Sequence, residues 1–251
     1  MISRHDYITD HSLYKEFAIH IGDLRTRKSL EYLFQYPCGR EYAVLGLGQT
    51  GDPAILDYVL SGFESETWTD GISSVMVLLR FGPSKALPAL SRFFDHAASA
   101  AKTKVLFAMD TLAHLDRTEE PTPGRKRAVS ILKERPFIEW LARVALYDEN
   151  KEVRRSAMHV LRSFPEKDSG LPLLAEKMFI EAIAYANKDN VKEVALSHLV
   201  YSQTEESLNV VKRATRDKNL DIAAWGLWVL SYRQVDFIDC LVDFLQKGQG
   251  L

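Results

Sequence analysis

Apolar residues recur along this chain every three to four positions. Between Lys151 and Phe164, the positions Val153, Ala157, Val160, Leu161 and Phe164 fall on one face of a helix. Leu171, Leu174, Met178, Ala182 and Tyr185 do the same in the next segment. No segment alternates apolar and polar residues strictly for long, so the pattern predicts helices and no strands. The breaks are short: Gln49 to Asp52, Gly82 to Ser84, Asp148 to Asn150, Asn187 to Asn190, and Arg233-Gln234. Several carry helix-start chemistry. Asp52 precedes Pro53, a cap followed by proline at the first helical position. Ser84 and Thr204 are expected caps, and Glu205 and Glu206 place acids in a first turn.

One frame recurs along the chain: a small residue, three residues, then leucine. It appears as Ala43/Leu47, Ser74/Leu78, Ala108/Leu112, Ala157/Leu161, Ala195/Leu199 and Gly226/Leu230. Successive small residues are 31, 34, 49, 38 and 31 positions apart. A small residue one turn before a leucine lets a paired helix approach while the leucine fills the space beyond. The spacing fits two-helix repeats. The longest interval requires an insertion, expected near residues 116–130, where Asp116 to Gly124 holds Pro121 and Pro123. Arg125 to Arg135 is expected to form an extra helix.

The segment Arg40 to Ile55 contains an alanine-bearing helix, a Leu-Gly step and a Gly51-Asp52-Pro53 turn. It resembles the HEAT-like repeat named after phycobilisome lyases. Asp148 to Ala157, followed by Leu161, is similar to the same unit with its Val153-Arg154 pair intact. The resemblance spans roughly Arg40 to Lys247. It implies an all-α fold, an α-α superhelix or HEAT-like solenoid of about six helix pairs. Residues 1–36 would be a divergent N-terminal cap and 37–251 the repeats, in one domain. It also implies that Asp148 and Arg154 bridge neighbouring repeats.

The expected second helices of the pairs are Pro53–Phe63, Ser84–His96, Pro136–Tyr147, Leu171–Asn187, Glu205–Arg216 and Val235–Lys247. In arrays of this kind the second helices line the concave, partner-binding surface. Their non-core positions give Tyr58, Arg92, Arg143, Glu176, Lys212, Asp239 and Asp243 as candidate partner-binding residues.

Composition narrows the function classes. The chain has 251 residues, 46% hydrophobic and 26% charged, too apolar and balanced for a disordered chain. Cys38 and Cys240 alone cannot form a disulfide framework, which points to a reducing, cytoplasmic setting. No stretch reaches the roughly 20 apolar residues of a membrane span. The net charge of −2 gives no global attraction to polyanions. It conceals an asymmetry, since Arg125 to Arg162 carries ten basic and five acidic residues. That segment could meet an acidic protein surface or a phosphate backbone.

Catalytic signatures are missing from the sequence. Gly46-Leu47-Gly48 lacks the strand-turn-helix context of a dinucleotide fingerprint. His159 and His198 fall at similar points of two repeats, but no carboxylate or thiol completes a metal-ligand spacing. Asp236, Asp239 and Asp243 share a helix face, either solvated or facing a basic partner. Trp225, Trp228 and Tyr232 neighbour each other on one helix. These readings favour a non-catalytic module that binds a protein partner, as an adaptor, inhibitor or immunity protein, with no cofactor and no metal. The alternative is a nucleic-acid-binding or DNA-glycosylase-like HEAT protein, whose family uses aromatic residues and an aspartate. Trp68 with Asp70 and Trp225 with Asp221 echo that set. Under this alternative the central basic residues and the tryptophans converge on one groove. A lyase role by analogy with the repeat's namesake has only fold resemblance behind it.

Overall fold

The structure is a computed structural model that describes residues 54–64, 71–118, 123–165 and 170–248. The resembling segment Arg40–Pro53, the expected N-terminal cap, Cys38, Trp68 and Asp70 lie outside the described residues. Among the described residues the chain is all-helical: α1 Ala54–Glu64, α2 Gly71–Arg80, α3 Pro83–His96, α4 Ser99–Thr118, α5 Pro123–Leu132, α6 Arg135–Tyr147, α7 Lys151–Arg162, α8 Leu173–Tyr185, α9 Asp189–Leu199, α10 Glu205–Ala214, α11 Leu220–Tyr232 and α12 Ile238–Gly248. The chain divides into two compact units, residues 1–132 and 133–251. None of the helices described is long and apolar enough to cross a membrane.

In the first unit α2 is central and packs on α1, α4 and α5. Its Val75, Leu78 and Leu79 are fully buried with Leu106, Met109 and Leu112 of α4 and Leu132 of α5. Each such side chain contributes about 1.5–3 kcal/mol by leaving water. Ser84 does not cap α3. Gly82 does, at φ 70°, with Pro83 at the first helical position. Of the expected insertion, residues 116–118 continue α4, and the extra helix starts at Pro123 and stops at Leu132.

In the second unit side chains cap α7, α10 and α11. Asn150 accepts from the amides of Glu152 and Val153, Thr204 from Ser207, and Asn219 from Asp221. Asp148 and Asp217 each accept the amide two residues on, so one Asp-x-Asn turn starts both α7 and α11. At the other end of α11, Gln234 takes φ 55°. The amides of Gln234 and Val235 then bond the carbonyls of Ser231 and Leu230, a Schellman ending that explains the Arg233-Gln234 break.

The closest packing is within three pairs, α6 with α7, α8 with α9 and α10 with α11. The helices bearing Ala157/Leu161, Ala195/Leu199 and Gly226/Leu230 are therefore the second members of their pairs. Pro136–Tyr147, Leu171–Asn187 and Glu205–Arg216, expected as second helices, lie on first members. α8 packs beside both α6 and α10, and α9 beside α11. Asn219 at the start of α11 donates to Asp189 at the start of α9, 2.9 Å away, tying two pairs together. Phe137, Leu141, Phe179, Leu161, Leu199 and Leu230 are fully buried among these helices.

Candidate functional site

α9 packs directly on α11 and also touches α6, whereas α7 makes its main contact with α6. The space this leaves beside α7 is a cavity of about 550 Å³ lined by α7, α9 and α11. The α7 wall is Lys151, Arg154, Arg155, Met158, His159 and Arg162, one stripe at helical spacing. Glu193, Val194, Ser197, His198, Val200 and Tyr201 come from α9 and its C-terminal turn. Trp225, Trp228 and Tyr232 form the α11 wall.

Repeat register explains why these side chains meet. His159, Ser197 and Trp228 each follow the small residue of their frame by two positions, so one slot on three helices faces one cavity. His198 follows Ala195 by three. That extra step turns it inward: His159 is exposed, His198 is buried, and the two are not equivalent. The buried His198 ring lies against Phe179, centroids 5.1 Å apart. Its Nε2 is 3.1 Å from the Ala145 carbonyl. Burial holds its pKa down at about 4, opposed by the bond to Ala145 and aided by the Arg154 charge. The imidazole is therefore neutral at neutral pH and donates to that carbonyl.

The cationic and aromatic walls meet at one end. The Arg162 guanidinium carbon lies 3.9 Å from the centre of the Tyr201 ring. Stacking covers one face of the guanidinium and leaves its planar fork of donors available to a carboxylate or phosphate. Arg154 is anchored, donating to the carbonyls of Asp148 and Glu149 at 2.8 and 3.0 Å. The contact between Asp148 and Arg154 thus runs through the backbone of a single turn. Arg155 lies 3.7 Å from Glu152, both exposed. Trp225 and Trp228 pack edge to face at 5.2 Å, and Tyr232 lies 5.7 Å beyond Trp228. Trp228 is 46% and Tyr232 61% exposed, large for ring residues.

None of the seven candidate residues read from the sequence lines this cavity. Tyr58 and Arg92 lie in the first unit, where Arg92 pairs with Asp57 at 3.0 Å on an exposed surface. Arg143 is exposed on α6. Lys212 borders a depression of about 340 Å³ with Asn209, Arg213, Arg216 and Cys240. Asp239 is exposed at the start of α12. Asp243 accepts from Arg216 Nε at 3.2 Å, and Asp236 from the amide of Ile238. Glu176 is buried and accepts the hydroxyl of Thr204. Close by, Ser202 donates to Ser207, and Arg233 donates to the Ser207 hydroxyl at 3.1 Å. Burial lowers the Arg233 pKa and the Glu176 charge opposes that shift.

The sequence singled out Trp225, Trp228, Tyr232 and the α7 basic residues, but not Tyr201, Ser197 or Glu193. Ser197 carried a signal, its offset of two from the small residue of its frame, whereas Tyr201 and Glu193 carried none. Asp221, one turn before Trp225, does not line the cavity. Among the described residues no cluster of three His, Cys, Asp or Glu side chains could hold a metal ion. The lining offers cations, ring faces, neutral hydrogen-bonding groups and one carboxylate, a set suited to binding an anion that carries apolar groups. No protein-family model matches the sequence, and no curated protein is similar to it.

Proposed function

We propose that the protein is a non-catalytic, cytoplasmic interaction module built of HEAT-like helix pairs. It takes an acidic protein partner on the face formed by α7, α9 and α11, the second helices of their pairs. The observation that carries this reading is the meeting of Arg154, Arg155 and Arg162 with Tyr201, Trp225, Trp228 and Tyr232 in one cavity. Arginine, tyrosine and tryptophan are the residue types that dominate binding energy at protein interfaces, and they do so from recessed positions like this one. The cationic row from Lys151 to Arg162 covers about 16 Å of helix. It offers a local site, on a chain of net charge −2, for a local acidic element.

Affinity capture from the protein's own cells tests the reading. The wild-type protein is expected to retain a stoichiometric partner that Arg155→Glu and Arg162→Glu lose. Arg143→Glu and Lys212→Glu, off this face, are expected to retain it. Retention by Arg162→Glu overturns the assignment of the face.

One observation favours a second reading, binding of nucleic acid. Lys151, Arg154, Arg155 and Arg162, the last part of the central basic segment, line one cavity with Trp225 and Trp228, as base stacking combined with phosphate contact requires. That reading demands retention of labelled single-stranded or duplex DNA at low salt and its steep loss as salt rises. Glu193 in the lining and the shortness of the cationic row support the protein partner instead.

A further inference from the structure

We infer that the partner's docking element is an extended segment in which acidic residues alternate with apolar ones; this rests on the acidic-partner reading above. The cavity has two unlike walls. Lys151, Arg154, Arg155 and Arg162 line the α7 side, and Trp225, Trp228 and Tyr232 line the α11 side, with α9 between them. An occupant must therefore be anionic along one edge and apolar along the other. An extended chain does this with the simplest sequence, because successive side chains point to opposite sides.

The dimensions agree. Five extended residues span about 16 Å, the length of the cationic row on α7. Residues one, three and five of such a segment lie on the α7 side, and residues two and four on the aromatic side. A cavity of about 550 Å³ admits side chains and a short backbone, where a flat protein surface would leave it unfilled. Glu193 on the α9 side repels a carboxylate placed centrally, which confines the acids to the α7 edge. Arg162, stacked on Tyr201, presents its fork to the terminal acid of the row.

Two peptides of identical composition test the arrangement: acetyl-Glu-Leu-Glu-Leu-Glu-amide and its isomer acetyl-Glu-Glu-Glu-Leu-Leu-amide. Both lack chromophores, so tryptophan fluorescence and calorimetry of the full chain read their binding directly. The alternating peptide is expected to bind about tenfold or more tightly than the isomer, and to lose that advantage in Arg162→Glu and in Trp228→Ala. The exposed ring of Trp228 makes its truncation compatible with folding, checked by circular dichroism. Equal binding of the two peptides overturns the alternating element. So does failure of both peptides while a captured partner still depends on Arg162, and in that case the acidic-partner reading survives. Loss of the reading itself is a different result, a captured partner that Arg162→Glu retains. Tighter binding of hexathymidylate than of either peptide overturns both in favour of nucleic acid.

Discussion

Arg162 ends α7 and Tyr201 lies in the turn that follows α9, and the guanidinium carbon sits over the ring, 3.9 Å from its centre. The stack fixes a charge that would otherwise sample many rotamers in solvent. Arg162→Lys keeps the charge and loses both the stack and the planar fork. It is expected to weaken binding of the alternating peptide by about tenfold while leaving the thermal midpoint nearly unchanged. Fluorescence titration beside a melting curve measures both. An undiminished affinity would mean that charge alone acts at this position.

Close helix approach makes a second expectation. A β-carbon on Gly226 would sit 2.9 Å from the Thr215 backbone nitrogen and 3.3 Å from the Ala214 carbonyl carbon. Backbone cannot step aside as a flexible side chain can. Gly226→Ala is therefore expected to cost about 1–3 kcal/mol in urea unfolding, against the usual helix preference for alanine. Gly124 is the contrast. Its added β-carbon would meet Met76 Cε at 3.4 Å, an ordinary contact. Gly124→Ala is expected to stabilise by up to about 1 kcal/mol.

Gly226 shows what the sequence makes legible. The small residue before leucine marks where helices touch, and Ala157, Ala195 and Gly226 are all buried with their leucines. The turns at Gly82-Pro83, Asp148 to Asn150 and Arg233-Gln234 also fall where their chemistry places them. The phase of pairing was less legible. Periodicity identifies the apolar face of α7 but does not say whether its nearer partner precedes or follows. Connection length carries that information: three residues join α6 to α7, but ten join α7 to α8. Short connections force antiparallel neighbours, so α7 belongs with α6. Glu176 misled for another reason. A helical wheel shows a charged residue but not the Thr204 hydroxyl, brought from 28 positions away, that lets it be buried.

That pairing gives a third expectation. Thr204 Oγ1 donates to Glu176 and accepts from the Ser207 amide, so one hydroxyl satisfies a buried carboxylate and starts α10. Thr204→Val preserves shape and removes both bonds. It is expected to destabilise by about 2–3 kcal/mol, from a lost cap together with an under-satisfied buried acceptor. Thr204→Ser retains the hydroxyl and is expected to lose less than about 1 kcal/mol, since it keeps both bonds. Equal losses in the two variants would mean that the two bonds of the hydroxyl do not set the cost.

His198 makes stability depend on pH. Its folded pKa is lowered to about 4 because burial penalises the imidazolium. The unfolded chain takes up a proton near the ordinary histidine value of about 6.5. Between these values the unfolded state binds more protons, so stability falls as pH drops. Above about 6.5 the neutral ring, donating to Ala145, contributes in full, and below about 4 its contribution is gone. Lowering the pH from 7.5 to 5 is expected to remove about 2 kcal/mol through this residue. Urea unfolding at the two pH values measures the loss, and His198→Gln, which does not titrate there, should show about 2 kcal/mol less of it. A pH slope that survives His198→Gln unchanged would overturn the burial argument.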